Sequence, residues 1–180
     1  YTYPRHYLEK YPDKQIDVVE IDNTMTNLAI EEFGLDINNK NLKIYHQDGR
    51  SYINYSKEKY DTILIDAFNG LNAPFELTTY EAMCKVKEKL NTNGMVITNI
   101  LSSLEGNEAK FAKYEYATYK AVFDDVKIYA LKTDDKTKYQ NLILIGIKGN
   151  PEADENKYLE YKNLLDTEVL DFSTDSKIVT

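Results

Sequence analysis

YDTILIDAFNGLNAP, residues 60–74, is the stretch that decides the fold class. Its first part, DTILI (61–65), is a short continuous apolar run, which predicts a strand buried on both faces. The run ends on Asp66 and passes into a loop, Asp66–Pro74, that holds one Gly, one Pro and two Asn. A connection from strand to helix usually takes roughly 2–6 residues, so this loop is long, and long loops beside a sheet rim often gate a substrate. Working outward, apolar runs alternate with helical patterns. Upstream, Gln15–Ile21 and Leu42–His46 read as strands, and Pro4–Tyr11, Thr24–Phe33 (stopped by Gly34) and Arg50–Tyr55 as helices. Downstream, Thr78–Leu90 and Glu108–Phe123 read as helices. In the first of these Thr78 and Glu81 form a capping box and Met83, Val86 and Leu90 share one stripe. Gly94–Ile100, Val126–Leu131 and Asn141–Ile147 read as strands. The last two are joined by KTDDKTKYQ, too short and polar for a crossover helix, so they are expected to be antiparallel.

This alternation predicts an α/β chain of three layers, a mostly parallel sheet with helices on both faces and an antiparallel last strand. Residues 1–149 are expected to form the α/β domain, and residues 150–180 a helix (Pro151–Leu165) and irregular tail packed on it. The 180 residues carry net charge −8, which gives no electrostatic footprint for nucleic acid. One cysteine (Cys84) and two histidines (His6, His46) exclude an internal disulfide and a multi-His or multi-Cys metal site, and fit a cytoplasmic setting. No apolar run approaches the ~20 residues of a membrane span, so no membrane contact is expected of this segment.

Open α/β sheets bind ligands at the carboxyl ends of their strands, and the acids lie there. Glu20 and Asp22 follow the first strand, Asp48 and Gly49 the second, and Asp66 the third. Carboxylates so placed can accept from a ribose diol, accept from an adenine amine, and hold or deprotonate an amine. For any one of these acids, the preference of Asp for turn starts explains its place better. Three at this spacing favour a nucleoside. Asn99 ends a strand at the same rim and could touch a ligand or satisfy local backbone. Tyr114, Ala117 and Ala121 suit ordinary helix packing, and Cys84 a small core residue.

The ordered set VVEIDNTM (18–25), HQDGRSYI (46–53), YDTILIDAFNG (60–70) and PFELTTYEAM (74–83) resembles the spermidine synthase family, a branch of the Rossmann-like, class I methyltransferase fold. VKIYAL and QNLILIGIKG resemble that family's final hairpin, and the resemblance spans Tyr3 to Gly149. It implies aminopropyl transfer from decarboxylated S-adenosylmethionine to a small amine, without a metal. S-adenosylmethionine-dependent methyl transfer and a non-catalytic regulatory or assembly role stand as alternatives, and a homodimer is left open. It also implies roles: Glu20 for the donor's ribose hydroxyls with Asp22 beside it in donor binding, Asp48 and Gly49 for its adenine, Asp66 as the catalytic acid, and Asn69 toward the amine. Tyr80 contacts the substrate or the gate loop, or packs on that loop as the first residues of a helix do. Asn69 stands where the family usually has a second acid. The family's first strand and Gly-rich loop have no counterpart here, so two strand edges are expected to meet an open slot, and weak donor binding is expected of this segment.

Overall fold

The computed structural model describes residues 1–67, 74–130, 134–150, 167–169 and 172. They belong to two compact units, Tyr1–Ser56 and Lys57–Thr180.

The first unit contains α1 (Thr2–Lys10), β1 (Ile16–Val19), α2 (Asn23–Phe33), β2 (Leu42–Tyr45) and α3 (Gly49–Tyr55). β1 and β2 pair in parallel, Ile16 opposite Leu42 and Val19 opposite Tyr45. Leu8, Ala29, Leu35 and Leu42 form its core, with Ile16, Val18, Ile30 and Ile44 packed against them. The apolar residues of α1, α2 and both strands therefore converge on one seam, as alternating strand and helix patterns require. α2 stops at Gly34, whose left-handed φ of 63° closes the last turn, as expected from the sequence.

The second unit contains β3 (Tyr60–Ile65), α4 (Tyr80–Lys89), β4 (Leu90–Ser102), α5 (Lys110–Val122), β5 (Asp125–Ala130) and β6 (Gln140–Ile147). Single 3₁₀ turns at Phe75–Leu77 and Asn107–Ala109 lead into the two helices. The strand order is β3-β4-β6-β5. β3 and β4 are parallel, whereas β6 runs antiparallel to both β4 and β5, so the short polar connection does make a hairpin. Val96, Ile100, Leu142, Leu144 and Ile128 point to one face and are at most 1% exposed; Met83 and Val86 of α4 and Tyr119 of α5 are as deeply buried. Gly146 of β6 lies under the Phe123 ring. A Cβ there would come within 2.5 Å of that ring, so only glycine fits. Beyond β5, the backbone of Thr167–Val169 takes up hydrogen bonds of Ala130 and Ile128, and Glu168 bridges Tyr129.

Three expectations are corrected. β3 is not buried on both faces: it ends the order of its sheet, and Leu64 is 40% exposed. The cap of α4 is Thr79, whose Oγ1 accepts from Ala82 N at 3.2 Å; Thr78 instead donates to the Phe75 carbonyl and closes the preceding 3₁₀ turn. The buried stripe of α5 is Ala112, Glu115, Thr118 and Tyr119, while Tyr114 is exposed. The helix expected over Pro151–Leu165 lies outside the described residues.

Candidate functional site

In the first unit the acids gather where β1 and β2 end. Glu20 follows β1 directly, and its backbone N–H donates to the Tyr45 carbonyl at 3.0 Å, which ties it to the end of β2. The Glu20 carboxylate accepts from Asp22 N at 2.9 Å through Oε1. Asp22 caps α2, its Oδ1 accepting from Thr24 N (2.9 Å) and from the Thr24 hydroxyl (2.6 Å). Asp48 caps α3, its Oδ1 accepting from Ser51 N at 2.7 Å. These bonds favour the ionised carboxylate. The Thr24 hydroxyl and amide hold Asp22 below the usual carboxylate range, and the Ser51 amide does the same for Asp48. Both aspartates thus have the local turn-start role that their residue type suggests, and both sit at the C-terminal rim of a parallel strand pair. Gly49 is the first residue of α3. Arg50 follows, with a buried Nη1 that has no hydrogen-bond partner.

In the second unit Asp66 follows β3, and Asn99 lies on β4 one residue past the Ile65–Thr98 pairing. The Asn99 amide nitrogen donates to Asp66 Oδ1 at 3.1 Å. The Asn99 carbonyl oxygen is buried and has no hydrogen-bond partner. An amide with one end on a carboxylate and an open acceptor at the other suits a ligand with N–H groups. Asn69 lies outside the described residues. Tyr80 opens α4, and its hydroxyl donates to Cys84, which raises the phenol above its ordinary value. Tyr80 and Cys84 line a groove of about 300 Å³ with Lys87, Ala121, Val122 and Lys148, and Asp66 is not among its lining residues. Cys84 is half-buried rather than a core residue.

Sequence reasoning passed over Glu115. This carboxyl is 1% exposed in the stripe by which α5 packs, and burial pushes it up to about 8. The signal was present: Ala112, Glu115, Tyr119 and Val122 follow helical spacing, with Glu115 the one charge. Among the described residues no group of three or more His, Cys, Asp or Glu could hold a metal ion, and no helix is long and apolar enough to cross a membrane.

Comparison with known proteins places these residues in a family. The polyamine aminopropyltransferase of Vibrio vulnificus is 34% identical over 125 residues, which cover 68% of this chain and 40% of that protein. The probable polyamine aminopropyl transferase of Bifidobacterium longum is 34% identical over 99 residues, 55% of this chain and 22% of that protein. The chain thus spans about two-fifths of the first relative's length and less of the second's. Among solved structures, a probable spermidine synthase from Corynebacterium glutamicum superposes with a TM-score of 0.76 at 25% identity, over 92% of this chain and 58% of that one. Human methyltransferase-like protein 13, solved with SAH, gives 0.71 at 24% identity, over 92% and 75%. Those folds are Rossmann-like α/β, as this one is. The family profile described as spermine/spermidine synthase domain matches residues 5–154, and the chain belongs to that family.

Proposed function

We propose that this chain carries the nucleoside-binding and amine-binding residues of an aminopropyltransferase. The donor is decarboxylated S-adenosylmethionine and the acceptor a small amine. The amine nitrogen's lone pair attacks the aminopropyl carbon next to the sulfonium sulfur. The C–S bond breaks, methylthioadenosine leaves, and the nitrogen's surplus proton passes to the Asp66 carboxylate. The leaving thioether is already good, so the enzyme's main task is to present an unprotonated amine in line. The Glu20 carboxylate has Oε2 for the ribose hydroxyls while Oε1 holds Asp22 N. Asp48, whose Oδ1 caps α3, is the proposed acceptor for the adenine amine, with Gly49 beside it. Asn69, by family resemblance, and Tyr80, by its place at the start of α4, remain proposed amine contacts. A net charge of −8 favours a cationic acceptor.

The observation that carries this reading is the Asp66–Asn99 pair. Asn99 fixes Asp66 by one oxygen, and its own unpartnered carbonyl can accept an amine N–H beside it. A solved spermidine synthase bound to the transition-state analogue AdoDATO shares the fold, with a TM-score of 0.68 at 16% identity. The test is to incubate the chain with decarboxylated S-adenosylmethionine and putrescine and to separate the nucleosides by chromatography. Methylthioadenosine supports the reading. S-adenosylhomocysteine formed from S-adenosylmethionine points to methyl transfer instead, and no product from either donor, once calorimetry shows the donor bound, refutes it.

A further inference from the structure

α5 lays Ala112, Glu115, Thr118 and Tyr119 against the sheet. Three of these suit a helix–sheet seam, and the fourth is a carboxyl that is 1% exposed. Glu115 Oε1 has no hydrogen-bond partner. One helical turn on, the fully buried Tyr119 shares a hydrogen bond of 2.5 Å with Thr98 Oγ1 of β4. Such a group is costly to ionise in place, because a buried charge needs a partner or water.

Among the described residues nothing around Glu115 offers a counter-charge. β4 and β6 contain no titratable residue. In the pairing registers, Val126, Ile128 and Ala130 of β5 share the face of Thr98 and Ile100, so Asp125, Lys127 and Tyr129 alternate to the opposite face. Lys127 pairs there with Glu168. From α4, Lys87 is taken up by the Val122 carbonyl and Asp124, Lys85 pairs with Glu88, Tyr80 bonds Cys84, Glu81 is exposed and Lys89 half-exposed. Glu108, in the 3₁₀ turn before α5, is exposed. On α5 itself Tyr119 lies one turn on, and the Glu115 carboxylate would only push it further up; Lys110, Lys113, Tyr114, Tyr116 and Lys120 lie off the buried stripe. The sole cause that lifts Glu115 is burial, and it places its titration at about 8.

We propose that Glu115 is a proton-controlled latch on the seam between α5 and β4. With its proton it fits the seam. When the proton leaves to water, the carboxylate seeks solvent, α5 lifts from β4, and the Tyr119–Thr98 hydrogen bond opens. Thr98 immediately precedes Asn99, so the latch also reaches the amide that holds Asp66. Only that last consequence rests on the transfer reading above.

The test needs no substrate, so its outcome is independent of whether transfer occurs. The chain is labelled with glutamate enriched in ¹³C at the side-chain carboxyl and titrated by NMR, with Glu115 assigned by the signal lost in Glu115→Gln, or in Glu115→Asp should the first variant not fold. The expected signal titrates near 8, apart from the other glutamates. Amide exchange, corrected for its intrinsic pH dependence, is then followed for peptides 96–102 and 110–122 between pH 6.5 and 9. Protection falls at least tenfold in the native chain and stays level in the variant that lacks the carboxyl. Tyr119→Phe lowers protection of 96–102 by a similar factor at both pH values. A Glu115 signal that titrates with the exposed glutamates overturns the proposal, as does an equal loss of protection in Glu115→Gln.

Discussion

Replacing Glu115 with Gln keeps the shape of the side chain and removes its proton equilibrium, and the consequence for stability can be worked out. The carboxyl titrates at about 8 in the folded chain against an ordinary value of 4.5. Between those values the unfolded chain has lost the proton and the folded chain retains it. Unfolding then releases a proton, so stability falls as pH rises through the window. Glu115 is therefore least harmful at and below pH 4.5, and the full penalty is reached above about 8. At about 1.4 kcal/mol for each pH unit, the window amounts to about 5 kcal/mol. That is of the order of the whole stability of a small domain, about 5–15 kcal/mol. Urea denaturation followed by circular dichroism at pH 4.5, 6, 7, 8 and 9 measures the gap between the two proteins. Near pH 4.5 they should agree within about 1 kcal/mol, and the variant should then gain steadily up to pH 8. A gap that does not change with pH would show that Glu115 is solvated, and the reasoning from its burial would fail.

Three further outcomes are expected. Gly146→Ala forces a Cβ to within 2.5 Å of the Phe123 ring and should cost about 1–3 kcal/mol in thermal or urea denaturation; adding Phe123→Leu should recover part of it. Asp48→Ala removes the cap of α3 and should cost about 1 kcal/mol, whereas Asp48→Asn keeps the bond to Ser51 N and should be nearly neutral for stability while still weakening donor binding measured by calorimetry. Asp66→Asn should abolish turnover and spare donor binding, while Glu20→Gln should weaken donor binding first; intact turnover in Asp66→Asn would remove Asp66 from the mechanism.

The strands were legible because each is a short stretch rich in β-branched or apolar residues, and the β5–β6 hairpin because its connection is too short to cross the sheet. The acids at the strand ends were legible for two reasons at once: Asp22 and Asp48 begin helices, and the rim where helices begin is also where such folds bind ligands. Strand order was not legible. DTILI reads as a strand buried on both faces, and nothing in five residues tells that Leu64 is exposed. The buried face of α5 was misread because Tyr114, Ala117 and Ala121 have the same helical spacing as Ala112, Glu115 and Tyr119. A charge in the second set argued against it, and apolar appearance favoured the wrong stripe. Asn99 showed its place at the rim in the sequence, but its grip on Asp66 depends on register, which only the folded chain supplies.

Thr167–Val169 lies along the outer flank of β5 and is tied down by the Lys127–Glu168 ion pair. The three residues work as a hem. A version of the chain trimmed ahead of them would bare the Ala130 amide and the Ile128 carbonyl, and such a frayed border invites like molecules to stack strand upon strand. Where the hem is cut thus decides whether the trimmed protein stays dispersed or clumps.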